Sequence, residues 1–387
     1  MHIAARTAHL KESVIREMTR VALGCGAINL SQGFPDYDPP PEVLEAATAA
    51  IHDGLNQYSM SWGLPVLRQR LAERYRAMLG RDVDPDRHVV VTCGVTEAIA
   101  CAFFAVLDRG DEVIVLEPAH ETYGPAAYLA DAAIVPVVLE APGFRLDAAA
   151  VEAAVTPRTR AILVNTPHNP TGRVFDAGEL HALAEVALRH DLVVVTDEIY
   201  DEILYDGRTH LAPGSLEALR DRTITIGGLG KTFAMTGWRL GFAISPDALA
   251  LPVRSAHDFL TICAPTPLQA AGAAALALPP SYFEQMRVEY HERRRLFCDA
   301  LDDVGLTTSR PEGAYYVMTD HRALRDDLDD LAFAHWLTTE VGVACVPGRV
   351  FYADGTRGVH QVRFAYAKKP ETLIEAAARL RTVRATR

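Results

Sequence analysis

The sequence predicts an α/β protein with a large domain on a mostly parallel sheet and a smaller α+β domain. Short runs rich in Val and Ile alternate with helical patterns from His88 onward, and continuous apolar runs are typical of strands buried on both faces. Polar residues follow these runs, as expected where ligands lie at the carboxyl ends of parallel strands. A chain of 387 residues favours two domains. We expect residues 53–280 to form the large domain, and residues 1–52 with 281–387 the small one.

The composition excludes several classes of function. A net charge of −12 argues against sequence-independent binding to nucleic acid or to anionic membranes. The six cysteines include no C-x-x-C pair, so a structural zinc site is not expected and a reduced, cytoplasmic setting is favoured. The N-terminus carries no apolar core of signal-peptide type.

The first elements are helices joined by polar loops. Apolar residues at helical spacing predict a helix over LKESVIREM, near the N-terminus. The loop INLSQGFPDYDPP follows and contains Gly33, where a ligand or another chain segment can approach the backbone closely. Proline is favoured in a first helical turn, so we expect helices from Pro41 to His52 and from Pro65 to Leu79. The polar loop between them carries Tyr58.

The large domain is predicted from seven apolar runs and the helices between them. One helix is expected over TEAIACAFFAVL and another over residues 177–190. The runs read as strands are HVVVTCG, EVIVLEP, AIVPVVL, RAILVN, LVVVTDE, TITIGG and RLGFAIS.

Beyond these runs lies a stretch without charged residues, residues 259–283, which four prolines interrupt. It is too short in uninterrupted apolar length to span a membrane, so we interpret it as a buried helix at a subunit contact. A long helix is expected over residues 281–304. The small domain then follows, with strands in GAYYVMTD, VACVP and HQVRFAY and helices near residues 329–341 and 371–383.

The stretch TITIGGLGKTFAMTGWRLGF, residues 223–242, is the first candidate for chemistry. Its glycines allow a sharp turn, and Lys231 at that turn can lose solvation and become a nucleophilic amine. Arg239 follows after a short loop, where a guanidinium can hold a phosphate by paired hydrogen bonds. An isolated lysine in a turn is usually a solvated surface residue, so this interpretation depends on the residues that accompany it.

Three further segments supply those residues. Asp197 ends a buried strand, where a carboxylate either caps a turn or pairs with a protonated ring nitrogen; Tyr200 follows it. Asn169 lies in the loop NTPHNPTG, which is either an ordinary turn or a rigid position for an amide donor. Gly94-Val95-Thr96 begins a helix, and exposed amide groups there can bind an anion, although many strand–helix turns look alike.

Arg363 lies within the apolar strand HQVRFAY. An arginine in such a place either faces water at a sheet edge or is a buried clamp for a carboxylate. The local sequence leaves both interpretations open.

The motifs SQGFPDYDPP, NTPHNPTG, TDEIYDE, GGLGKTFAMTGWRLGF and VRF, in this order, resemble the class I aminotransferase family. Within the family, the likeness is greatest to enzymes of the kynurenine and methionine type. The resemblance covers nearly the whole chain and implies the fold-type I architecture, the cofactor pyridoxal 5'-phosphate, and a homodimer with active sites at the subunit boundary. It implies no nucleic acid or membrane partner.

The resemblance also implies a role for each motif residue. Lys231 would form the internal aldimine with the cofactor, and Asp197 would hold its pyridine nitrogen. Tyr200 and Asn169 would bind the ring oxygen, and Arg239, Val95 and Thr96 would bind the phosphate. Tyr58 would reach into the site of the other subunit. Arg363, Gly33 and Asn169 would bind the substrate carboxylate.

Three positions depart from the pattern. Gly228 lacks the serine hydroxyl that many relatives place before the lysine, and Thr96 is smaller than the aromatic residue that some relatives have at the same position. His120, with Tyr123 nearby, takes the position of an aromatic residue that stacks on the cofactor ring, and its imidazole can also act as an acid or base.

The function expected is transamination between an L-amino acid and a 2-oxo acid, and neutral, aromatic or sulfur-containing substrates are favoured. The alternatives are elimination or a biosynthetic reaction with the same cofactor, a nucleotide hydrolase suggested by Gly230-Lys231-Thr232, and a non-catalytic binding protein.

Overall fold

The computed structural model describes residues 7, 10 and 12–385. Twelve α-helices lie in this described part of the chain: Val14–Cys25 (α1), Pro41–His52 (α2), Pro65–Leu79 (α3), Val95–Val106 (α4), Tyr123–Leu129 (α5), Ala148–Ala154 (α6), Ala177–Arg189 (α7), Asp247–Thr261 (α8), Thr266–Leu276 (α9), Pro280–Asp303 (α10), Asp330–Trp336 (α11) and Pro370–Ala385 (α12).

The strands of the described residues form three sheets. They are Ile28–Asn29 (β1), Val89–Cys93 (β2), Glu112–Glu117 (β3), Ala133–Val138 (β4), Thr159–Asn165 (β5), Val193–Asp197 (β6), Thr223–Gly228 (β7), Leu240–Ile244 (β8), Tyr316–Asp320 (β9), Val343–Ala344 (β10), Val346–Pro347 (β11) and Gln361–Ala365 (β12).

The largest sheet has seven strands in the order β2-β8-β7-β6-β5-β3-β4. Its strands are parallel except β8, which runs antiparallel to both β2 and β7. Strand β3 shows why the runs are continuously apolar: Val113 and Val115 pack into one core, and Ile114 packs into the core on the opposite face. The predicted α/β class and mostly parallel sheet are confirmed.

The remaining strands form two small sheets against a separate core. Strands β11, β12 and β9 pair antiparallel, and β1 near the N-terminus pairs with β10. Phe297 and Leu301 of α10 pack in this core with Phe364 of β12. The bounds of the two domains, 53–280 and 1–52 with 281–387, stay a prediction.

Most elements predicted from the sequence are confirmed, and helices α2 and α3 begin and end at the expected residues. The N-terminal helix begins later than the segment LKESVIREM suggests: Ser13 caps it with its hydroxyl, and Leu10 precedes it. Lys11 of that segment lies outside the described residues.

Within one chain, the interpretation of residues 259–283 as a single buried helix is wrong for its first part, and the subunit contact stays a prediction. The stretch contains the end of α8, a break before α9, and the start of α10. Phe259 is 92% exposed and Ile262 is 49% exposed, whereas Ala271 in α9 is fully buried. The prolines interrupt the helix, so the apolar residues do not share one face. No helix among the described residues is long and apolar enough to cross a membrane.

Candidate active site

The polar residues predicted to cluster do meet at the carboxyl ends of β5 and β6. Asn165 and Asp197 are paired in register at the last positions of these strands. Asn165 Nδ2 donates to the carbonyl oxygen of Asp197 over 2.7 Å, and Asn165 Oδ1 accepts from the backbone N–H of Asn169 over 2.7 Å. Asn165 therefore fixes the loop that carries Asn169 to the strand that carries Asp197. Sequence reasoning placed Asn165 in this cluster without giving it a role.

Lys231 follows β7 at the same edge of the sheet. Its Nζ donates to the carbonyl oxygen of Gly33 over 2.8 Å and lies 5.9 Å from the ring centre of Tyr200 and 5.5 Å from that of Tyr315. Burial lowers the pKa of Lys231, because a charged ammonium loses solvation there. The amine is therefore more readily deprotonated than a surface lysine, as a nucleophile or base requires.

Asp197 is a buried carboxylate, only 7% exposed. It accepts hydrogen bonds from Tyr123 Oη at 2.8 Å and from the backbone N–H of Ile199 at 3.3 Å. Within the described residues no ion pair joins it to a basic side chain. Burial raises its pKa to about 6, against a usual value of 3.8. A carboxylate in this setting is stabilised when a cation binds beside it.

Arg363 is 1% exposed, so the buried interpretation of this arginine holds. Its Nη1 donates to Asn169 Oδ1 over 3.0 Å and its Nη2 to the carbonyl oxygen of Ser31 over 2.6 Å. Its Nε is buried without a hydrogen-bond partner, and no carboxylate among the described residues pairs with it. Burial lowers the pKa of Arg363. A guanidinium left in this state can still bind an anion.

The start of α4 and Arg239, the residues predicted to bind an anion, lie side by side. Helix α4 begins at Val95 after Gly94, and no side chain caps it. A Cβ on Gly94 would lie 2.4 Å from Arg239 Nη2, so only glycine leaves room for the guanidinium here. Thr96 in the first turn and Arg239 are both exposed. Helix amides and a guanidinium thus converge on one space, a combination that favours a phosphate.

Gly228, which departs from the family pattern, lies beside this anion site. A Cβ added there would be 2.9 Å from Val95 Cγ2 and 3.1 Å from Ile199 Cδ1. The space of a side chain at residue 228 is therefore largely taken by Val95.

His120 follows β3 after a short segment and lies half-buried beside the site. Its Nδ1 and Thr122 Oγ1 are 2.8 Å apart, and its ring centre is 5.8 Å from that of Tyr123. Burial, together with the nearby Arg363 and Lys231, lowers its pKa to about 3. The imidazole is neutral at physiological pH, which suits a stacking group better than an acid.

Two tyrosines that sequence reasoning did not select also line the site. Tyr315 Oη donates to the carbonyl oxygen of Gly33 over 3.0 Å, and Tyr316 Oη lies 3.0 Å from Tyr200 Oη. A Cβ on Gly33 would be 1.9 Å from Tyr316 Oη, so the close approach predicted at Gly33 is made by this tyrosine. The dipeptide Tyr-Tyr at the start of an apolar strand was the available signal.

Tyr58 is not brought to these contacts within one chain. It is 78% exposed, in a loop held to α9 by a hydrogen bond from Thr266 Oγ1 to the carbonyl oxygen of Gln57.

A second cluster, Glu97, Cys101 and His257, has metal-ligand chemistry. The Glu97 carboxylate accepts from the backbone N–H of Cys93 and from Thr261, and it lies 2.8 Å from His257 Nδ1. His257 Nε2 is 2.8 Å from the carbonyl oxygen of Ser61. The carboxylate and the imidazole therefore already have partners, and these hydrogen bonds join α4 to α8.

The surroundings of Lys231 exclude a P-loop. Gly230-Lys231-Thr232 is followed by a 3₁₀ turn at Thr236–Trp238 and by the antiparallel strand β8. A P-loop instead leads directly into a helix that binds the phosphates. The nucleotide-hydrolase alternative is therefore rejected.

Comparison with known proteins adds independent information. A sequence model of the family described as aminotransferase class I and II matches residues 26–380. A probable N-succinyldiaminopimelate aminotransferase of Mycobacterium tuberculosis is 40% identical over 379 residues, 95% of each chain. Methionine aminotransferase of Escherichia coli is 35% identical over 373 residues, 96% of each chain. The solved structure of N-succinyldiaminopimelate aminotransferase from M. tuberculosis matches with a TM-score of 0.95 and 39% identity, covering 99% of this chain and 100% of that chain.

Proposed function

The chain belongs to the class I and II aminotransferase family, and from this premise we propose that it binds pyridoxal 5'-phosphate covalently at Lys231. It has the fold-type I architecture and is an aminotransferase, which moves an amino group from an amino acid to a 2-oxo acid. One observation carries the assignment of the site. The amine of Lys231 lies within electrostatic range of Asp197 and of Arg363, and neither of these two forms an ion pair within the described part of the chain.

The residues present fit the cofactor. Asp197 offers a negative charge to a protonated ring nitrogen, and the start of α4 with Arg239 offers amides and a guanidinium to the phosphate. The unpartnered Nε of Arg363 is available to the carboxylate of a substrate. Within the described residues, each of these groups lacks the kind of partner that cofactor or substrate supplies.

Pyridoxal phosphate, when bound, supplies an aldehyde that captures amines and a ring that accepts the electron pair released at the substrate α-carbon. Lys231 holds the cofactor through Nζ, and the same atom, once free, takes the α-proton as a base. Asp197 would stabilise a positive ring nitrogen, and Tyr200 and Asn169 would hold the ring oxygen. Arg363 fixes the substrate carboxylate, so the α-proton is presented in one direction.

The test of this proposal uses the small number of lysines in the chain. Lys11, Lys231, Lys368 and Lys369 are the four lysines of the sequence. Borohydride reduction of the protein supplied with cofactor should label the peptide with Lys231, identified by mass spectrometry. Lys231→Ala should lose both the bound absorbance and turnover, whereas Lys369→Ala, at an exposed site, should keep both. Label on another lysine, or substantial activity of Lys231→Ala, would contradict the assignment.

We also propose that the chain forms a homodimer, in which Tyr58 completes the neighbouring site. The support is a set of exposed apolar residues: Tyr58 at 78%, Phe259 at 92% and Ile262 at 49%. A hydrogen bond of 2.6 Å from Ser61 to Asp258 holds the two segments side by side. Exposed apolar patches of this kind mark protein interfaces. Phe259→Asp should shift the mass measured by light scattering to that of a monomer, and an unchanged mass would contradict this interface.

For the substrate, we propose neutral, aromatic or sulfur-containing amino acids. The support is the aromatic residues around the site: Tyr315 lies beside Lys231, and Tyr316 and Phe351 lie beside Arg363. The other nearby lysine, Lys368, already donates to the carbonyl oxygen of Phe34 over 2.7 Å. A panel of amino donors and oxo acids, followed by loss of the bound absorbance, tests this; a preference for dicarboxylic donors would contradict it.

A cytoplasmic location is part of the same proposal, because all six cysteines are free thiols and three of them are buried. The low pKa of His120 argues against its acting near neutral pH as the general acid that would assist a leaving group in elimination.

A further inference from the structure

The hydroxyl group of Tyr316 lies at the centre of the site without a role in the reaction described so far. It is 3.0 Å from Tyr200 Oη, and either oxygen can be the donor. Tyr200 and Tyr316 meet edge to face, with ring centres 5.7 Å apart. Both side chains are 3% exposed, so the two hydroxyl groups contact each other away from water.

We propose that Tyr316 is a positioning residue: its hydroxyl donates to Tyr200 Oη, which directs the single Tyr200 proton to the ring oxygen of the cofactor. This inference rests on the proposed function, because it takes Tyr200 to face that oxygen. It concerns the partner of Tyr200, and it assigns no contact between Tyr316 and the substrate.

The direction of donation follows from the number of protons. A phenol has one proton and two lone pairs, and an ionised ring oxygen can only accept. Each of the three oxygens therefore has a hydrogen-bond partner only if Tyr316 donates to Tyr200 and Tyr200 donates to the ring oxygen. Burial holds the pKa of Tyr200 well above its usual range, so its proton stays available for donation. After burial, the contact with Tyr316 raises the pKa of Tyr200, Asp197 raises it further, and Arg363 lowers it.

The ring of Tyr316 has a separate task from its hydroxyl. Arg363 Cζ lies 4.4 Å from its ring centre, and a Cβ on Gly33 would lie 2.6 Å from Tyr316 Cζ. Phenylalanine at residue 316 keeps both ring contacts and removes only the hydroxyl. The variant Tyr316→Phe therefore isolates the hydrogen bond.

The chain contains a matched control. Tyr366 Oη donates to Tyr205 Oη over 3.1 Å, and both side chains are buried in the core of the small sheets. Tyr366→Phe removes the same kind of hydrogen bond between two buried phenols. Because this pair does not contact Lys231 or Arg363, the control measures the structural cost alone.

The experiment is a spectroscopic pH titration of the cofactor-loaded enzyme. A donor to the ring oxygen stabilises its ionised form, so Tyr316→Phe should raise the pKa of the bound chromophore by about 0.5 unit, since cooperative donation is partly lost. The value of kcat/KM should fall about threefold to tenfold with KM unchanged. Tyr200→Phe should shift the titration further, and adding Tyr316→Phe to it should change nothing more. Tyr366→Phe should titrate as the wild type does.

Two results would overturn the inference while the proposed function stands. One is that the bound chromophore of Tyr316→Phe titrates with the same pKa as in the wild type. The other is a shift of equal size when Tyr316→Phe is added to Tyr200→Phe, which would mean that Tyr316 acts directly on the ligand. If the wild-type protein shows no bound chromophore and no label on Lys231, the proposed function fails and this inference fails with it.

Discussion

Asp197→Asn should stabilise the cofactor-free chain while it removes activity. The carboxyl group is buried and its pKa is raised from 3.8 to about 6, so its ionised form is less favourable in the folded state than in the unfolded state. At about 1.4 kcal/mol per pKa unit, this difference destabilises the folded chain by about 3 kcal/mol above pH 7. An amide carries no charge. Allowing about 1 kcal/mol for altered hydrogen bonds, we expect a net gain of about 2 kcal/mol.

The direction of the pKa shift of Asp197 determines how the stability of the chain depends on pH. A carboxyl group with a raised folded-state pKa contributes its full stability below pH 3.8, and this contribution is lost as the pH rises through about 6. The advantage of Asp197→Asn should therefore be largest at pH 8 and smaller by about 1.4 kcal/mol at pH 5. Urea unfolding of cofactor-free wild type and variant at both pH values measures this difference.

Asp330→Asn provides the opposite control. Asp330 is fully buried, but Arg349 Nε donates to it over 2.6 Å, so its loss leaves a guanidinium without its partner and should destabilise the chain at both pH values. The same Asp197→Asn protein, loaded with cofactor, should lose about 100-fold or more in kcat/KM, because the ring nitrogen loses its counter-charge. If Asp197→Asn is less stable than wild type at pH 8, or its advantage does not change with pH, our account of Asp197 is refuted.

Three further substitutions test other parts of the site. Arg363→Lys should lower kcat/KM about 100-fold in steady-state assays, because one ammonium cannot replace the paired donors that now reach Asn169 and Ser31; a change below about threefold would contradict the clamp. Gly33→Ala should lower kcat/KM at least tenfold, since the new Cβ would lie 1.9 Å from Tyr316 Oη; wild-type kinetics would mean that the loop has room to move. Gly228→Ser should lower the free energy of unfolding by about 1–3 kcal/mol, and Val95→Ala should restore part of it, because the new Cβ would lie 2.9 Å from Val95 Cγ2; urea unfolding without this coupling would contradict the packing argument.

The sheet was predictable because its signal is local. Each run of Val and Ile is long enough for one strand, and burial on both faces removes the alternation that other strands show. Helices α2 and α3 were predictable to the residue because proline fixes their starts. The stretch at residues 259–283 was misjudged because hydrophobicity alone does not distinguish a core from an exposed surface of one chain.

The candidate site was predictable in part. Lys231, Asp197 and Arg363 stand out because a charged residue beside an apolar strand needs a reason. Tyr123 and Tyr316 do not stand out, since a tyrosine is an ordinary residue of a core. Their hydroxyl groups gain importance only through the oxygens that they reach, Asp197 Oδ2 and Tyr200 Oη.

The sequence by itself determined the order of strands and helices, the edge of the sheet that carries the polar residues, and the family. These features depend on residue types at short spacing and on the order of the motifs along the chain. The tertiary structure decided which polar groups lack partners. The burial of Arg363 Nε and the absence of a basic partner for Asp197 among the described residues depend on segments more than a hundred residues apart along the chain. Solvation and pairing are properties of the folded neighbourhood, so no local pattern encodes them.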